Sequence, residues 1–246
     1  MNDHLAIAIV ADFKYLRKYF SKFLNQLRNI GNYSGTIIII TSLFTPTFFV
    51  SSTLKDKKIK IIRCRKIKFT KKTEQILNTL YTGSEPNRNK TKKFQWHKFN
   101  LFDTRLKNWN HIFYLDLNMN IHYDINPILK NKPIKKLFAR SDSYPEFERK
   151  LSSQFDNKNK IYKDLEKNFN LDITDYFQTG ILFFDTEIIT NNTKDELIDL
   201  TIKYPISITN EQGIMNLYFN HIKKDFEQLP FKFGEMEAYF YWLVDG

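Results

Sequence analysis

The sequence predicts an α/β protein: one Rossmann-like domain over residues 1–246, with a mostly parallel central sheet flanked by helices. Three observations carry that expectation. Short runs dense in Ile, Val and Phe recur along the chain, segments with apolar residues three and four apart lie between them, and polar or Gly-containing breaks delimit both. Strands separated by helix-length patterns argue for βαβ crossovers, and so for parallel neighbours.

Leu5 to Val10 is a short apolar run, read as a buried strand. In "KYLRKYFSKFLNQLRNI", which follows, Leu16, Tyr19, Phe20, Phe23, Leu24 and Leu27 fall at helical spacing, and the helix stops near Gly31. The β-branched run "SGTIIIIT" is a second buried strand and "KIKIIRC" a third. "FQWHKFNLFDTRL" places Phe94, Trp96, Phe99, Phe102 and Leu106 on roughly one helical face and leads into the strand "HIFYLDL". From Ser141 to Asn170 the chain is polar and charged, with a helix near Lys160 to Phe169. It reads as an insertion or active-site flap at about 141–170. "YFQTGILFFDTEII" is another buried strand, and "DELIDLTIKY" and "NEQGIMNLYFNHI" read as amphipathic helices. No internal repeat or low-complexity tail divides the chain, which supports a single domain.

With 42% hydrophobic and 16% aromatic residues, a chain of 246 residues can bury a sizeable core, which excludes a disordered protein. The formal charge of +11 suits an anionic partner, although a solvated lysine surface gives the same number. The densest run, "KDKKIKIIRCRKIKFTKK", alternates Ile59, Ile61 and Ile67 with cations and reads as a basic strand with its flanks. Cys64 is the sole cysteine, so no intramolecular disulfide can form, which fits a reducing, cytoplasmic setting. "MNDHLAIAIVADFKY" lacks the charged start and long apolar core of a signal peptide. No transmembrane segment is expected, because "TIIIITSLFTPTFFV" is too short and too broken by Thr, Ser and Pro. The sequons at Asn32, Asn89 and Asn191 read as chance matches in an Asn-rich chain.

Ligands of parallel sheets sit beyond the carboxyl ends of the strands, where Asp116, Asn118 and the polar segment after Val10 fall. Residues two apart on an extended strand point to the same side. A carboxylate and an amide so placed can hold Mg²⁺ or Mn²⁺, and through it a diphosphate. An Asp capping a turn beside an Asn gives the same letters for backbone reasons alone. Glu211 and Gln212 open a helix-like segment, where the helix dipole favours an acid in any case. Gln178 and Thr179 precede a buried strand, as sugar-binding groups or as turn caps; Lys98 is a phosphate contact or one solvated lysine among many. Neither GxGxxG nor GxxxxGK[ST] occurs, against dehydrogenases and P-loop enzymes. HExxH, a Cys cluster and GxSxG are also absent, against the usual zinc and serine-hydrolase sites.

Taken in order and spacing, these segments resemble the glycogenin-type glycosyltransferases, retaining and nucleotide-sugar-dependent enzymes of the GT-A fold, from about Leu5 to about Phe233. "AIAIVADFKYL" resembles the family's first strand and turn, and "FYLDLNMNIHYDINPI" its strand ending in a DxD motif. "YFQTGILFFDTE" resembles "cFNSGvfvy", and "NEQGIMNLYF" resembles "DQgiLNtyF", with "LPFKFG" in place of "LP..yN". The resemblance implies a hexosyltransferase that takes a sugar from a UDP-linked donor to a glycan, protein or small-molecule acceptor with retention. It implies uridine and phosphate contacts from Asp12, Tyr15, Lys98 and Asp116, and Mn²⁺ or Mg²⁺ on Asp116 and Asn118. It puts Gln178, Glu211 and Gln212 around the reacting sugar carbon, and it allows a homodimer.

The chain departs from the pattern at Asn118 for the second Asp of DxD, Gln178 for the Asn of NSG and Glu211 for the Asp of DQ. No "HxxGxxKPW"-like segment follows in "EAYFYWLVDG", so weaker metal dependence is expected. These departures set a second expectation beside the first: a catalytically weakened or inactive nucleotide-sugar-binding protein of the same fold. A sugar nucleotidyltransferase would need a Gly-rich phosphate loop after Val10, which is missing. No nucleic-acid partner is expected, because the basic run offers only Phe69, Arg63 and Arg65 for stacking.

Overall fold

The computed structural model describes residues 4–47, 58–81, 93–143, 148–230, 232–233 and 236–237. Seven strands pair into one sheet: Leu5–Val10 (β1), Thr36–Ser42 (β2), Ile59–Cys64 (β3), His111–Leu115 (β4), Leu137–Ser141 (β5), Phe177–Asp185 (β6) and Phe226–Gln228 (β7). Their spatial order is β3-β2-β1-β4-β6-β5-β7. β1 to β4 run parallel, and β6 alone opposes its neighbours β4 and β5. Lys232–Phe233 (β8) and Met236–Glu237 (β9) form a separate antiparallel pair.

Alternation along the central strands sorts side chains into two apolar layers. Ala6, Ala8, Ile38, Ile40, Ile112 and Tyr114 face one layer, while Ile7, Ile9, Ile37, Ile39, Phe113 and Leu115 face the other. The second layer is closed by Phe13–Asn29 (α1), which buries Leu16, Phe20, Phe23, Leu24 and Leu27 on one face. Asp12 caps this helix by accepting from Tyr15 N at 2.8 Å. The other α-helices among the described residues are Lys71–Tyr81 (α2), Asn126–Lys130 (α3), Tyr162–Asn168 (α4), Thr193–Lys203 (α5) and Glu211–Asn216 (α6). Among the described residues no helix is long and apolar enough to cross a membrane.

Two expectations change on contact with the structure. Trp96–Phe102 and Thr104–Asn108 are 3₁₀ segments, and every residue from Trp96 to Phe102 is buried, so there is no one-sided amphipathic helix. The segment starting at Glu211 is likewise enclosed: Gly213, Ile214, Met215, Asn216, Leu217, Tyr218 and Phe219 are all buried, and past Asn216 the coil widens into a π turn over Leu217–Ile222. Both elements run through the interior, where packing on all sides erases a polar face. Part of the polar stretch at 141–170 is packed as well: Leu151, Phe155 and Leu165 are buried, and Ile208 N donates to Gln154 O at 2.9 Å.

Candidate active site

The reversal of β6 brings its first residues to the sheet edge where β1 and β4 end. Asp116 N donates to Gly180 O at 2.9 Å, which stitches the residue after β4 to the start of β6. Lys98 enters from the buried 3₁₀ segment, and Glu211 from the first turn of α6.

These four pieces meet around one ammonium group. Lys98 Nζ lies 3.1 Å from Asp116 Oδ1 and 3.0 Å from Glu211 Oε1. It also donates to Thr179 O at 3.1 Å and Thr179 Oγ1 at 3.3 Å. Thr179 Oγ1 donates onward to Glu211 Oε1 at 2.9 Å, and the Tyr114 hydroxyl donates to Asp116 Oδ1. Lys98 is 7% exposed and Glu211 2%, so neither charge is hydrated from bulk. An unpaired buried ion costs several kcal/mol; the pairing is what makes the cluster tenable. Burial works against the Lys98 charge, but Asp116 and Glu211 override it and hold the ammonium above its ordinary pKa. Burial likewise raises Glu211 against the pull of Lys98, and raises the Tyr114 hydroxyl, with the Asp116 charge adding to it.

Two cavities adjoin here and share Gln95, Lys98 and Asp116 in their walls. The smaller, about 100 Å³, is also lined by Asp12, Tyr15 and Asn118. The larger, about 390 Å³, is also lined by Gln178, Glu211 and Gln212. The structure thus places the sequence-derived residues in two sets, with Lys98 and Asp116 common to both. Asp116 and Asn118 share their cavity by a different geometry from the one expected. β4 ends at Leu115, and Met119 N donates to Asp116 O at 3.0 Å, so a turn and not a strand pleat brings them together.

The Gln212 side chain is held at both ends: Thr179 N donates to its Oε1 at 3.3 Å, and its Nε2 donates to Gln154 Oε1 at 2.8 Å. Gln154 is 2% exposed and itself donates to Asp142 Oδ2 at 3.3 Å. Asp142, Arg149 and Gln154 line the larger cavity, and the sequence reading missed all three. Their only signal was their place in the polar stretch at 141–170. Asn210 was missed too: its φ of 57° with ψ of −123° is a backbone conformation that non-glycine residues rarely adopt. Thr209 Oγ1, Asn210 Oδ1 and Glu211 Oε2 are buried without a hydrogen-bond partner among the described residues. Strain and orphaned polar atoms in three consecutive residues are the kind of cost that folded proteins keep at functional sites.

No protein-family model matches the chain, and no curated relative matches it. Solved structures match it in fold. The glycosyltransferase GlyE of Streptococcus pneumoniae TIGR4 aligns over 93% of this chain at 15% identity with a TM-score of 0.57. The bifunctional glycosyltransferase WbbM aligns over 94% at 16% identity with a TM-score of 0.60. The galactosyltransferase LgtC, solved with donor and acceptor sugar analogs, aligns over 91% at 12% identity with a TM-score of 0.56. The chain spans 45% of the GlyE chain, 39% of the WbbM chain and 72% of the LgtC chain. At such identities the likeness is one of fold: a GT-A-like α/β domain.

Proposed function

We propose that the chain is a glycosyltransferase that moves a hexose from a nucleotide-linked donor, UDP-linked, to an acceptor hydroxyl with retention at the anomeric carbon. The observation that carries this reading is the buried junction of Lys98, Asp116, Glu211 and Thr179 between two adjoining cavities. A nucleotide sugar has that layout: nucleoside on one side, sugar on the other, and diphosphate between. In this reading Asp12 and Tyr15 hold the nucleoside, Lys98 and Asp116 the diphosphate end, and Gln178, Glu211 and Gln212 the sugar. The GT-A-like fold shared with LgtC supports it.

In the transfer, the bond between the anomeric carbon and the phosphate oxygen breaks and its electron pair stays on phosphate. The acceptor oxygen bonds the same carbon on the same face, and its proton passes to the departing phosphate oxygen. Lys98, preorganised by its pairs, faces the charge that grows on that oxygen without having to reorient. Gln212, fixed by Thr179 and Gln154, keeps its amide in one orientation beside the sugar cavity.

Charge counting supports a divalent cation. One ammonium between two carboxylates leaves the junction net negative, so a diphosphate there needs cationic charge in addition to Lys98. Among the described residues no three His, Cys, Asp or Glu gather, so a purely protein-built metal cage is absent. Asp116 and Asn118, in one cavity, fit an ion that takes its remaining ligands from phosphate and water, as Mg²⁺ and Mn²⁺ do. When bound, the ion would supply Lewis-acid charge at the diphosphate. We place this chemistry in the cytoplasm, in keeping with a lone, buried, unpaired Cys64.

Isothermal titration tests the reading directly. UDP with Mn²⁺ is expected to bind the wild type, and binding is expected to fall at least tenfold in Asn118→Ala. A folded wild-type protein that takes up no nucleoside diphosphate, with or without metal, contradicts it.

A further inference from the structure

The connection between β2 and β3 starts with a turn whose composition is unusual. Central positions of tight turns go most often to Gly, Pro, Asn, Asp or Ser, which supply the backbone angles or hydrogen-bond their own backbone. Here Thr45 N donates to Ser42 O at 3.2 Å, and the two residues enclosed are Leu43 and Phe44. Phe44 is 92% exposed and Leu43 40%. The tip is not slack. The Arg63 guanidinium donates to Leu43 O at 3.3 Å, Thr45 O at 2.7 Å and Thr47 Oγ1 at 2.8 Å, and the Ser42 and Thr45 hydroxyls bond each other at 2.7 Å. A clamped turn therefore presents two large apolar side chains to solvent.

Cations stand beside them. A cavity of about 570 Å³ beside the tip is lined by Leu43, Phe44, Arg65, Lys66, Lys68 and Lys93, and all four cations are exposed. The one carboxylate in its wall, Asp12, is occupied as the cap of α1. Arg65, Lys66 and Lys68 belong to the basic run of the sequence, which the nucleotide-sugar reading leaves unexplained. An apolar pair that can enter the acyl boundary, flanked by cations that can meet phosphate headgroups, is the chemistry of an interfacial membrane contact.

We propose that this edge of the sheet docks on an anionic phospholipid bilayer. Soluble polyanions would use the cations but have no use for Leu43 and Phe44, which is why the membrane fits better. The basic cavity shares Asp12 and Phe94 with the smaller cavity of the candidate active site, so docking brings that site to the membrane surface. That last consequence rests on the proposed function; the docking itself does not.

Vesicle cosedimentation of the full chain tests the proposal without any donor. At low salt, binding is expected to vesicles of phosphatidylcholine mixed with phosphatidylglycerol, and not to phosphatidylcholine alone. Phe44→Ser, and separately the triple change Arg65→Glu, Lys66→Glu and Lys68→Glu, are each expected to lower partitioning about tenfold or more. Circular dichroism of both variants is expected to match the wild type. Absent or equal binding to the two vesicle types overturns the proposal. So does a Phe44→Ser variant that binds vesicles as the wild type does, or binding to dextran sulfate as tight as to the mixed vesicles, since either outcome makes the patch a general polyanion site.

Discussion

Lys98 shows how far a residue's role depends on burial. It is one of 38 basic residues, and by letter alone it is indistinguishable from the solvated ones. Enclosed between Asp116 and Glu211, it becomes the cation around which two cavities are built. Lys98→Met is expected to leave the buried Glu211 and the half-buried Asp116 without their cation and to lower unfolding free energy by about 3–5 kcal/mol, measured by urea titration. Glu211→Gln keeps an acceptor for Thr179 and Lys98 while removing one charge, so stability should hold within about 1.5 kcal/mol. His97 carries an acid limb. Burial, with Lys66 nearby, depresses its pKa to about 4 against an ordinary 6.5. The folded protein therefore binds fewer protons than the unfolded chain between those values, and stability is expected to fall by about 3 kcal/mol as pH drops from 6.5 through 4. Denaturant midpoints of His97→Asn across that range should be flatter than those of the wild type.

At the scale of elements, the site depends on how closely α6 packs. A Cβ on Gly213 would lie 2.6 Å from Ser207 Oγ and 3.0 Å from Phe155 Cζ. Ser207 Oγ has little freedom to yield, since it donates to Asn210 O at 2.6 Å. Gly213→Ala is therefore expected to push α6 outward and carry Glu211 and Gln212 with it. A displacement near 1 Å at reacting groups costs about a hundredfold in turnover, so activity should drop far more than thermal stability. Phe20→Ala on α1, remote from the site, should do the reverse and cost about 3–5 kcal/mol of stability. The elements legible in the sequence were the short apolar runs of β1, β2, β3, β4 and β6 and the helical patterns of α1, α4 and α5. Where burial is all-round the pattern misleads, as at Trp96–Phe102 and the segment after Glu211. β5, "LFARS", was hidden because Arg140 and Ser141 cut its apolar run to three residues. The same loss hid Asp142 and Gln154, whose roles come from tertiary hydrogen bonds that no local spacing records.

For the whole molecule, the parallel sheet follows from sequence alone, while the site follows from one topological fact that local patterns do not contain. Because β6 opposes β4, the residues before its core lie level with those after the core of β4. That reversal turns separately weak signals at Asp116, Gln178 and Glu211 into one locus. The same edge carries the clamped Leu43 and Phe44 tip, so vesicle binding and nucleotide binding should be separable by mutation on one face. The most direct test of the central claim is UDP release from UDP-glucose, UDP-galactose and the UDP-N-acetylhexosamines, each with Mn²⁺, Mg²⁺ or EDTA, for the wild type and Asp116→Asn. Metal-stimulated release from at least one donor is expected, reduced about a hundredfold or more by the substitution. UDP bound without release from any donor would favour a nucleotide-sugar-binding protein that has lost transfer, and folded protein that neither binds nor releases UDP would rule out a nucleotide-sugar site here altogether.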